Sequence, residues 1–161
     1  MLRKKNIQIF GLSEIPIPPL ILGFCGLTPF IFLCFGVYFF SYEWKLICLY
    51  NLLNYSVIIL SFIGAIHWGV AIHNKNTDFR SYLWSVLPAI IGWVVLIGFT
   101  TNYLLIIIFL MLAFALTFYV DLLYTKKNIF PLWYLKLRKI LSVVVFICLG
   151  LVAMAINNKI I

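Results

Sequence analysis

Five long apolar stretches alternate with short polar breaks along the 161 residues of the chain. They cover residues 20–40, 46–72, 83–99, 103–124 and 140–156. At a rise of 1.5 Å per residue, each can cross all or most of the roughly 30 Å of hydrocarbon in a bilayer. The third and fifth sit at the short end of the spanning range. In hydrocarbon every backbone N–H and C=O must bond internally, and these stretches are too long and too continuous for barrel strands. The pattern therefore predicts an all-α polytopic membrane protein, a bundle of five transmembrane helices forming a single transmembrane domain over 1–161.

The second stretch organises the rest. It contains no Asp, Glu, Lys or Arg, yet holds Asn51, Asn54, Ser56, Ser61 and His67. At 100° per residue, Asn51, Asn54, Ser61, Ala65, Trp68 and Gly69 gather on one side of the helix. Ser61, Ala65 and Gly69 make a small-xxx-small ladder that admits a second helix at close range, and Gly64 is a further packing position. His67 points well away from the ladder, so this helix is expected to bury two faces. The break 41–45 is short enough to make the first two helices antiparallel neighbours. Pro29 and Pro88 predict kinks. Pro16, Pro18 and Pro19 exclude helix interior, so residues 1–19 read as an interfacial arm.

Composition agrees: 65% of residues are apolar and the mean hydropathy is +1.14, more than a soluble domain of this size can hide. The four cysteines lie inside apolar stretches without metal-ligand spacing and read as small hydrophobes. A net charge of +8 raises nucleic-acid binding, but the basic residues cluster at helix ends, which excludes it. Ten Lys and Arg fall on the side of the N-terminus and only Lys45 and Lys159 on the other. The positive-inside rule then places the N-terminus in the cytoplasm or matrix. Residues 125–139 form the most basic loop, with Trp133 and Tyr134 at headgroup level. Its Lys126, Lys127, Lys136, Arg138 and Lys139 are interfacial and could gather anionic lipid heads such as cardiolipin.

An ionisable group inside a span is a functional candidate by default. His67 and Asp121 qualify, both near the basic ends of their helices. They are expected to lie within hydrogen-bonding reach, as a helix pin or as a relay or binding pair. No catalytic residue, metal site or cofactor motif emerges. His67 and His73 miss helical ligand spacing, Ser61 lies on a different face from His67, and glycine-rich phosphate loops are absent.

The string Ile59-Leu60-Ser61-Phe62-Ile63-Gly64-Ala65-Ile66-His67-Trp68-Gly69 resembles the signature of an uncharacterised family. That family comprises small bacterial inner-membrane proteins and mitochondrial transmembrane protein 69. The resemblance continues through Tyr82–Ala89, Trp93, Asp121 and Pro131-x-Trp133-Tyr134-x-x-Leu137-Arg138, and reaches back to Pro19–Phe30. It implies a five-span protein of the bacterial or mitochondrial inner membrane, with no activity, substrate or cofactor attached. The leading expectation is a non-enzymatic accessory or assembly subunit packing against other membrane-protein subunits or itself. The alternatives are a small proton-coupled transporter using His67 and Asp121, and a membrane enzyme acting on a lipid or quinone.

Overall fold

The computed structural model describes residues 14–73, 78–98 and 102–160. These form five α-helices: α1 (Ile17–Phe39), α2 (Tyr42–His73), α3 (Phe79–Gly98), α4 (Tyr103–Lys126) and α5 (Leu132–Asn157). All five are long and apolar enough to cross a membrane. The protein is an all-α bundle of five membrane-spanning helices. The prolines that were expected to exclude helix at 18 and 19 occupy the first turn of α1. There a missing N–H costs nothing, because no helical acceptor precedes it. The basic N-terminal tail that carried part of the orientation argument lies outside the described residues.

Helix α2, at 32 residues about 48 Å long, is the spine. It packs on α1, α3 and α4, while α5 closes the bundle against α1 and α4. One continuous core joins Phe30 and Val37 of α1, Leu49, Leu52, Leu53 and Leu60 of α2, Ile107, Leu110 and Phe114 of α4, and Leu149 and Val152 of α5. At one end of the bundle Glu14 pairs with Lys136 and the Tyr82 hydroxyl donates to the Ala71 carbonyl at 3.3 Å. At the other end Lys45 reaches the Ile160 carbonyl and Tyr38 that of Leu151. Consecutive helices therefore alternate in direction.

The hydrogen-bond gap that Pro29 leaves inside α1 is filled by a side chain. Proline cannot donate to the carbonyl four residues back, so the Thr28 hydroxyl donates to Cys25 O at 2.7 Å. Tyr55 of α2 donates to Gly26 O at 2.9 Å, which turns the loosened turn of α1 into a tie between helices.

Close approach of α2 and α3 rests on glycine. Gly64 lies against the backbone carbonyl of Ser85, where a Cβ would overlap the oxygen, and Gly92 lies against Val57. The ladder expected to do this work does not do it within the chain. Ser61, Ala65 and Gly69 are exposed, and no described residue lies within 4 Å of the position of a Gly69 Cβ. Helix α3 presents its own thin strip, Ser85, Pro88 and Gly92, and so settles on the Gly64 side of α2. The Ser61–Ala65–Gly69 face is left open.

Helix α5 begins at Leu132 and not near residue 140. Pro131 precedes it in extended geometry and ends the preceding turn. Lys136, Arg138 and Lys139 are therefore helical. Lys136 and Lys139 are exposed along with Lys126 and Lys127, but Arg138 is buried at 7% exposure. Its expected place at the lipid interface is corrected: it lies on the face of α5 shared by Tyr134, Ser142, Val145 and Leu149.

Candidate functional site

Asp121 is fully buried near the end of α4, in hydrocarbon-like surroundings where an isolated carboxylate would be prohibitively costly. It is held from two sides. His67 Nε2 of α2 lies 2.9 Å from Oδ1, and Arg138 Nε of α5 donates to Oδ2 at 2.7 Å. His67 is 1% exposed. In the neutral tautomer that carries its proton on Nε2, the imidazole donates to Oδ1 and the carboxylate balances the guanidinium. The cluster then buries no net charge, the condition under which such a pair is tolerated. The three groups come from three helices, so Asp121 ties α2, α4 and α5 at one level. Thr125 adds a bond to the Asp121 carbonyl at 2.8 Å.

A hook seals the cluster. Helix α4 ends at Lys126 and the chain reverses through Asn128, whose φ of 57° is a left-handed conformation that Asn tolerates well. Ile129 and Phe130 N–H both donate to Tyr124 O, and this places the Phe130 ring over His67 with centroids 5.1 Å apart. Tyr124 meets His67 edge to face at 4.8 Å, and Tyr134 packs tilted against Phe130 at 4.6 Å. The Tyr134 hydroxyl sits close enough to Asp121 and Arg138 to feel both charges, yet has no hydrogen-bond partner among the described residues.

The structure thus brings His67 and Asp121 together. Of the basic residues, it joins only Arg138 to them. Lys126 and Lys127 lie on the hook, and Lys136 pairs with Glu14. Ser61, Ala65 and Gly69 stand apart on the open face, while Gly64 packs under α3. Sequence reading missed Arg138, Tyr134 and Phe130 as companions of the pair. A signal was present: Tyr134, Arg138 and Ser142 recur every four residues, the spacing of one helix face. A carboxylate inside a span also demands a cation. Among the described residues, no group of three or more His, Cys, Asp or Glu is placed to hold a metal ion.

Five spans with minimal loops, pinned by a sealed His–Asp–Arg cluster, define a small multi-pass integral membrane protein. The chain belongs to the family described as "Protein of unknown function (DUF3429)", whose model matches residues 15–154. It is similar to transmembrane protein 69 of Xenopus tropicalis, with 28% identity over 161 residues. That match covers 95% of this chain and 59% of the relative, so the chain spans under two thirds of its length. No solved structure matches.

Proposed function

We propose that the chain is a non-enzymatic inner-membrane protein, of a bacterium or a mitochondrion, that serves as an accessory or assembly subunit by packing against other membrane-protein subunits. The observation that carries this reading is the open face of α2. A helix packed on three sides still turns Asn51, Ser61, Ala65 and Gly69 outward along its length. Beside them a groove of about 630 Å³ runs between α1 and α2, bounded by Thr28, Pro29, Phe32, Asn51, Asn54 and Tyr55. Each Asn donates once to the carbonyl four residues back, at 2.8 and 3.0 Å, which leaves the amide oxygen for another acceptor role. Small residues and amides facing lipid gain nothing from it. Against a second helix they allow close approach and interhelical hydrogen bonds of about 1 kcal/mol each.

The test is a gentle-detergent pulldown of the tagged protein from its native membrane, read by mass spectrometry. A stoichiometric membrane complex is expected, and it is lost in the Ser61→Leu, Ala65→Leu, Gly69→Leu triple variant while the variant itself stays folded. A lone monomer from the parent protein overturns the reading.

The same reading places the N-terminus in the cytoplasm or matrix. Six of the eight described Lys and Arg sit at the end of the bundle that carries Glu14 and the α4–α5 hook. The exposed lysines there also suit anionic headgroups such as those of cardiolipin. A membrane-impermeant amine reagent is expected to label the hook lysines Lys126 and Lys127 in inverted vesicles and to spare them in right-side-out ones. The opposite pattern reverses the orientation.

One observation favours a second reading, a small proton-coupled transporter. It is the burial of His67 and Asp121 inside a span. His67→Ala and Asp121→Asn proteoliposomes that lose a substrate-driven proton flux present in the parent would decide for it. Both carboxylate oxygens are already engaged, which favours the pinning role.

A further inference from the structure

After Asp121 has accepted from His67 and Arg138, three donors on the face of α5 that carries Arg138 remain without a hydrogen-bond partner among the described residues: Arg138 Nη2, the Tyr134 hydroxyl and the Ser142 hydroxyl. All three side chains belong to residues more than nine-tenths buried. They recur at every fourth position of α5, so they share the stripe that meets Asp121 of α4. Farther along that stripe Val145 and Leu149 are dry core.

We propose that this stripe is an internal-water site, in which ordered water accepts from Arg138 Nη2, bridges to the Tyr134 and Ser142 hydroxyls and donates to the spare lone pairs of Asp121. An orphan donor inside a bundle keeps its desolvation cost without return, and three along one stripe are not tolerated when a small molecule can serve them. A buried water makes about three hydrogen bonds to otherwise unsatisfied groups, and the partners here suffice for one or two of them. The Asp121 carboxylate sits among the donors, which disfavours an anion, and Arg138 disfavours a cation. The tilted rings of Tyr124, Phe130 and Tyr134 cover the near end of the cluster, which limits the occupant to something small. Water is the species left.

The inference holds whichever partner the outer face of α2 takes. Its test uses the full chain in detergent and in lipid nanodiscs. With water present, Ser142→Ala and Tyr134→Phe each lower the midpoint of thermal unfolding by a few degrees. A map of the parent resolved well enough to show ordered solvent places density within hydrogen-bonding distance of Arg138 Nη2 and Ser142 Oγ. A dry site gives the opposite sign: deleting an orphan hydroxyl relieves its cost, and the midpoints rise or stay put. A rise, an unchanged midpoint, or empty density between α4 and α5 overturns the proposal.

Discussion

Asp121→Asn is expected to be the most damaging single substitution of similar shape in the protein. It removes the negative charge between His67 and Arg138 and leaves a guanidinium buried at 7% exposure with no counter-ion. Breaking a buried ion pair from one side costs about 3–5 kcal/mol, because the surviving charge keeps its desolvation penalty and loses its compensation. The amide still accepts one hydrogen bond, so the loss comes mainly from charge. The expected outcome is a large fall in thermal midpoint and in the monodisperse fraction after detergent extraction. Asp121→Leu combined with Arg138→Met should recover most of it, since well-packed apolar groups replace a buried pair at little cost. A residual of about 1–3 kcal/mol would remain for His67 Nε2, left without its acceptor. If Asp121→Asn is as stable as the parent, the three-helix pin is wrong.

Gly64→Ala should come second. A methyl group there overlaps the carbonyl oxygen of Ser85, and the carbonyl carbon lies 3.3 Å away. Backbone cannot rotate aside as a side chain can, so α3 must move off α2 and drag the Pro88 and Gly92 contacts with it. Ala gains about 1 kcal/mol of helix propensity over Gly. Overpacking against a backbone carbonyl, at the upper end of the usual range of about 1–3 kcal/mol, exceeds that gain. Net destabilisation near 2 kcal/mol is expected from unfolding titrations in mixed micelles. The control is Gly69→Ala, five residues along the same helix, where no described residue stands within 4 Å. It should be neutral or slightly stabilising. Equal effects at the two positions would mean that the α2–α3 contact is not as close as described.

The contrast between these glycines shows where pattern reading stops. Ser61, Ala65 and Gly69 satisfy the small-xxx-small spacing and Gly64 does not, yet Gly64 carries the contact. Spacing says which faces permit close approach. It is silent on which face a given neighbour takes, because that depends on the neighbour's own thin strip, here Ser85, Pro88 and Gly92. Arg138 teaches the same lesson about charge. Counted along the chain it is one more basic residue near a helix end, equivalent to Lys136 and Lys139. Only when α5 starts at Leu132 does its register turn Arg138 inward while Lys136 and Lys139 stay out.

The sequence by itself determined the medium, the number of spans and their alternation. Those depend on the sum of apolar length along the chain and on the requirement that hydrocarbon-buried backbone bond to itself, both of which are local. It also singled out His67 and Asp121, since ionisable groups in spans are rare enough to stand out one by one. The tertiary structure alone decided that Arg138 completes the pair, that Phe130 covers it, and that the ladder of α2 faces outward. Each of these depends on the rotation of one helix against another. That rotation is set by side-chain interlock across residues tens of positions apart; periodicity within a single helix marks a face, as for Tyr134, Arg138 and Ser142, but not the partner that face meets.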